Sequence, residues 1–260
     1  VVVEGKFLTD MQIAINDNQD IICGGFYSSE GTFSIEGSYF LKINGQTKEI
    51  NSKEFQKFGI DFITQNMTKK EEKKRKRKYA KGKNTELYQY NLDNIILKDD
   101  GGAILIGEQY FVKIVSSDRY TKYIYNFNDI IVVNMSASGK IEWTKKIAKK
   151  QKTINDGGFF SSYALSVVKD KLHFVFNDNS KNLFYNGEGK LHNFNVRKKS
   201  LVVLVTIDTN GEQTREKLFT SKDINTLTRP LVCEQISKNE MVLFGQKKKT
   251  HQFAKILFKE

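Results

Sequence analysis

One arrangement recurs four times along the chain and restricts what it can fold into. A turn marked by Asp, Asn or Gly leads into an apolar strand. A second apolar strand follows, then a tight turn and a third, more polar strand. The fullest copy spans residues 98–147: Asp99-Asp100-Gly101-Gly102 opens it, Ala103 to Gly107 is apolar, Ile130 to Met135 is apolar, Gly139 makes the tight turn, and Ile141-Glu142-Trp143 follows. Degenerate copies occupy residues 18–50, 169–219 and 239–258. Each copy also has a candidate first strand ahead of its turn, at residues 10–16, 91–97, 162–168 and 230–236. Short runs rich in Val, Ile, Phe and Tyr, with turn signals between them, specify strands and not helices. With one proline in the chain, the turns rest on Asx and Gly chemistry.

Four strands per repeat in meander order is the blade of a β-propeller, and a blade buries its faces only by stacking on its neighbours. The expected fold class is therefore all-β, a propeller-like array of about four four-stranded blades forming one domain over residues 1–260. Uneven repeat spacing places insertions at 56–85, 109–127 and 179–197. The last copy lacks a fourth strand. Residues 1–8 read as strand, turn, strand, which leaves two alternatives: residues 1–9 complete the last blade, or the chain is part of a larger propeller.

The composition agrees with a packed fold. Hydrophobic residues make up 39% and aromatics 12% of the 260 residues, and mean hydropathy is −0.49. No apolar run approaches the ~20 residues of a transmembrane helix. The net charge of +12 is concentrated: residues 69–83 hold ten basic and two acidic residues, +8 in all. This basic segment, within 65–83, reads as a short exposed helix with Asn66 or Thr68 as cap and Gly82 as stop, or as a mobile arm. Its candidate electrostatic residues are Lys73, Lys74, Arg75, Lys76, Arg77 and Lys78. With no aromatic beyond Tyr79 and no apolar face, it argues against base stacking and membrane insertion, and nucleic acid is not the expected partner.

Candidate chemistry is sparse. His173, His192 and His251 show no metal-ligand spacing, and His173 is expected on the polar face of a strand. No nucleophile elbow or P-loop occurs. Cys23 and Cys233 stand 210 positions apart and are expected as free, core-type thiols, with a single disulfide as the alternative. No cofactor or metal is expected. Calcium is the alternative for two oxygen-rich clusters, residues 16–20 and 177–180, although Asx turns account for both. The candidate binding residues are Arg119, Tyr120, Tyr123, Tyr125 and Phe127. Alternation puts Tyr123, Tyr125 and Phe127 on one strand face, suited to a sugar or a protein surface, or to packing within the fold.

The order Asp-Gly-Gly, apolar strand, Gly-Glu, then Asp129-Ile130-Ile131-Val132-Val133-Asn134, Gly139 and Ile141-Glu142-Trp143 resembles the blades of secreted bacterial β-propeller repeat proteins with DGG-type blades, often from Bacteroidota. That resemblance implies a structural motif, an exported location and no catalytic residue. The reading it supports is a non-catalytic binding or scaffold module taking a protein or glycan partner at blade loops. The alternatives are a propeller-type hydrolase acting on glycans or peptides, and electrostatic binding of nucleic acid or an anionic surface through residues 69–83.

Overall fold

The computed structural model describes residues 5–194, 200–220 and 222–259. Residues 1–4, the start of the opening strand expectation, and residues 195–197 of the third insertion lie outside the described residues. The chain divides into two compact units, residues 1–109 with 129–147, and residues 110–128 with 148–260.

The first unit holds two antiparallel meanders. In one, β1 (Phe7–Ile15), β2 (Ile21–Ser28), β4 (Gly37–Ile43) and β5 (Ile50–Lys57) pair in that order. The short strand β3 (Ser34–Ile35) pairs instead with β6 (Leu87–Tyr88). In the other, β7 (Tyr90–Leu97), β8 (Ala103–Ser117), β9 (Tyr120–Met135) and β10 (Ile141–Ile147) pair in sequence. Burial separates inner from outer strands. Ile22 to Ser28 of β2 is buried without interruption, whereas β5 has only exposed and partly covered positions. Continuous burial requires cover on both faces, which explains why the inner strands read as unbroken apolar runs. Phe26, Phe40, Leu105, Ile131 and Val133 from both meanders close one core with Phe58, Phe62 and Ile63.

Those last residues belong to the first insertion, which forms α1 (Ile60–Thr64) and α2 (Lys69–Ala80). α1 is pinned to β10 by a buried lysine. Lys146 Nζ donates to Ile63 O at 3.2 Å and lies 5.3 Å from the centre of the Phe62 ring. Burial pulls its pKa down to about 8. α2 is the expected basic helix, with Thr68 as N-cap in a reciprocal capping box with Glu71. It ends at Gly82, whose φ of +65° costs a residue without Cβ nothing.

The second unit repeats the design. β12 (Ala164–Val168), β13 (Lys171–Asn179), β14 (Ser200–Ile207) and β15 (Gln213–Thr220) form a four-stranded meander. β16 (Leu227–Thr228) and β17 (Glu234–Ser237) share one edge of β18 (Glu240–Lys247), and β19 (Thr250–Leu257) pairs along the other. The single first strand expected at 230–236 is thus broken. Pro230 cannot donate to a ladder, and a 3-10 turn over Pro230–Val232 separates the two pieces. Val175, Val202, Leu204, Met241 and Leu243 form the shared core. The fold class is the expected one: all-β, built of blade-type antiparallel meanders with a short basic helical insertion.

Two other expectations need correction. Residues 7–9 belong to β1, which pairs with β2, so they do not complete the last blade. The segment 109–127 is not an insertion lying between strands. β8 and β9 run through it as strands of 15 and 16 residues, because Tyr110 to Val115 and Tyr120 to Phe127 are rich in the aromatic and β-branched residues that favour extended backbone.

Candidate binding surface

The far ends of β8 and β9 form a two-stranded ribbon in the second unit, closed by the two-residue turn Asp118-Arg119. Two contacts set its register. The rings of Tyr110 and Phe127 lie 4.6 Å apart between centroids, and the hydroxyls of Ser116 and Thr121 lie 3.2 Å apart. In that register Val112 faces Tyr125 and Ile114 faces Tyr123. Directly opposed residues share a face. One face is therefore apolar over three consecutive pairs: Tyr110 with Phe127, Val112 with Tyr125, and Ile114 with Tyr123. Exposure rises towards the turn. Tyr125 and Phe127 are partly covered, while Ile114 is 59% and Tyr123 44% exposed.

The base of the ribbon is held firmly. β11 (Gln151–Ile154) pairs with β9 from Ile124 to Phe127. Asn155 extends that edge: its amide donates to Tyr123 O at 2.9 Å, and its Oδ1 accepts from Tyr123 N at 2.8 Å. Phe127 lies against Gly158, whose φ is +71°; a Cβ there would come within 2.2 Å of the ring. Beneath it Lys149, fully buried, donates from Nζ to Phe127 O and to Gln151 Oε1 at 3.0 and 3.1 Å. Gln151 donates on to Asn177 O at 2.8 Å, and Asn177 to Phe160 O and Thr228 O.

The network continues to a buried ion pair. Arg215 donates to Asp178 Oδ2 at 2.8 Å, to Asn182 O, and to Ala148 O. Asn182 Nδ2 and the Asn179 amide donate to Asp178 Oδ1, each at 2.7 Å. Burial pushes the Asp178 carboxyl above the ordinary carboxylate range, and the arginine and these donors oppose it. So the oxygen-rich segment 177–180 is spent on an arginine and backbone groups. In the other cluster Asp20 accepts from Asn16 and pairs with Lys42 at 3.2 Å. Among the described residues, no group of three or more His, Cys, Asp or Glu gathers as a metal site. Cys23 and Cys233 are free thiols.

The structure separates the sequence-derived candidates. Tyr123, Tyr125 and Phe127 share the apolar face. Tyr120 has the opposite parity and stacks under Lys122, whose Nζ is 4.5 Å from the ring centre. Arg119 sits in the turn. Tyr110, Val112 and Ile114 complete the face; Phe111 and Val115 of the opposite parity are apolar as well, so the sequence carried no clean alternation to mark them. His173 keeps the polar face expected for it, beside Ser166 and Thr206, but that face is buried: its Nδ1 lies 3.0 Å from Thr206 Oγ1 and its ring packs 4.4 Å from that of Phe258. Of the basic residues, Arg75 donates to Glu86 O, and Lys76 pairs with Asp61 and Glu72 at 2.8 and 2.9 Å.

A cleft of about 620 Å³ in the first unit is lined by Ser29, Glu36, Lys57, Tyr79 and Glu86 among others. The Ser29 hydroxyl lies within reach of both carboxylates, 2.7 Å from Glu36 and 3.4 Å from Glu86. Burial would raise Glu36, but Lys57 and Ser29 win and hold it below the ordinary carboxylate range. That suits a salt bridge or a base better than a proton donor.

No family model matches the chain, and no curated protein matches it. Solved structures similar to it include a doubly substituted Bacillus subtilis levansucrase in complex with oligosaccharides, at 8% identity and a TM-score of 0.25. A levansucrase complexed with sucrose matches at 8% identity and a TM-score of 0.26. Each match covers 99% of this chain and 85% of the other. Likeness at that level does not extend to a site.

Proposed function

We propose that the chain is a non-catalytic binding module that holds a protein partner on the apolar face of the β8–β9 ribbon. One observation carries the reading. Three consecutive cross-strand pairs are apolar on one face, and the outer members, Ile114 and Tyr123, stand open to solvent. Aromatic side chains give large contact area at low entropic cost, which is why they anchor interfaces. The base is fixed by β11, Asn155 and the buried Lys149, so little ordering cost falls on the ribbon when a partner docks. An exported bacterial location belongs to the same proposal and rests on the repeat motif.

A photoreactive phenylalanine placed at Tyr123 in cells of the native source tests it. A discrete cross-linked species is expected from position 123 and none from the equally open Tyr88, which lies in the first unit. Equal cross-linking from both positions, or none from 123, overturns the reading.

A further inference from the structure

Beyond Lys69 in its first turn, the positive charge of α2 falls into two sets. Arg75 and Lys76 face the fold, where they meet Glu86 O, Asp61 and Glu72. Tyr79 lies on that side too, lining the carboxylate cleft. Lys70, Lys73, Lys74, Arg77, Lys78 and Lys81, with Lys83 beyond the helix end, line a single depression of about 460 Å³. The helical positions among them fall within an arc of about 140° and span about 16 Å of helix at 100° and 1.5 Å per residue. Cations gathered on one face repel one another and weaken a helix. The fold nonetheless holds them there, through the Thr68–Glu71 capping box and the ties made by Arg75 and Lys76.

We propose that this face of α2 binds the phosphodiester backbone of duplex nucleic acid without reading its sequence. The lining of the depression is wholly Lys and Arg, so it has no ring to stack on an unpaired base and no apolar side chain to enter a bilayer. What remains is phosphate neutralisation by cations set along about 16 Å of one helix face. This surface lies in the first unit and shares no residue with the ribbon, so the two proposals fail independently.

The experiment is fluorescence anisotropy of the full chain with labelled 20-base-pair duplexes of two unrelated sequences, from 50 to 300 mM NaCl. Equal affinity for both is expected, with a log–log salt slope of about −5 to −6 if six or seven phosphates are neutralised. The variant Lys73→Glu/Lys74→Glu/Arg77→Glu/Lys78→Glu changes side chains for which the structure shows no role in the fold. It should lose at least about a hundredfold in affinity and bring the slope to −2 or shallower, with its far-ultraviolet circular dichroism unchanged. A charge-matched control, Lys140→Glu/Lys238→Glu/Lys248→Glu/Lys249→Glu, should keep the slope. Equal losses in the two variants would reduce the effect to net charge and overturn the proposal. So would a wild-type slope shallower than −2, or preferential binding to phosphatidylserine vesicles at the same phosphate concentration.

Discussion

Replacing Arg215 by Met tests whether the buried network under the ribbon is a stabilising unit. Arg215 supplies donors to Asp178, Asn182 O and Ala148 O, and its side chain is 7% exposed while that of Asp178 is fully buried. Methionine keeps an unbranched apolar stem and loses every donor. Asp178 keeps its bonds from Asn182 and Asn179, but its charge has lost the partner that balanced it. Removing one member of a buried pair costs about 3–5 kcal/mol, mostly as the penalty of the stranded charge. At about 2–4 °C per kcal/mol for a chain of this size, the midpoint should fall by roughly 6–20 °C. Differential scanning calorimetry at pH 7 gives the shift. The double variant Asp178→Leu/Arg215→Met removes both charges and should lose less than Arg215→Met alone. A loss under about 1 kcal/mol in the single variant refutes the reasoning, as does a double variant whose loss equals the sum of the two singles.

Two further predictions concern buried groups in the same unit. Burial, helped by Lys171, draws the His173 pKa down to about 4 from an ordinary value near 6.5, so the fold binds this proton less well than the unfolded chain does. His173 should therefore destabilise the fold progressively as pH falls from about 6.5 to 4, by up to about 3 kcal/mol. In urea melts the stability of the wild type relative to His173→Gln should fall by that amount across the window, and parallel curves would show that His173 does not contribute. Gly158→Ala forces a left-handed alanine and a Cβ into the Phe127 ring. It should cost roughly 2–4 kcal/mol. It should also change the near-ultraviolet dichroism of the Tyr110–Phe127 pair, and an unaltered melt would place the ring elsewhere.

Periodicity alone determined the strand content, the blade-type repeat and the capped basic helix. An apolar run between two turn signals has few ways to hide its backbone, and a run of helix formers stopped by Gly82 reads as a helix, while the choice of Thr68 over Asn66 as cap came from the structure. Pro230 was visible in the sequence, yet its effect was not, because whether a proline breaks a strand depends on which edge its missing N–H faces. Residues 109–127 read as an insertion holding a strand over Tyr123 to Phe127, and only the pairing shows that the blade's own strands continue through it. Alternation already set Tyr120 apart from Tyr123, Tyr125 and Phe127, and the structure adds that its ring lies under Lys122. Burial decided the rest. His173 lies under Phe258, Asp178 answers to Arg215, and Lys149 reaches Phe127 O, all through contacts between residues distant in the chain. Local sequence records the tendency of each segment. Which charges find a partner, and which aromatic rings remain in water, is settled only when the segments pack.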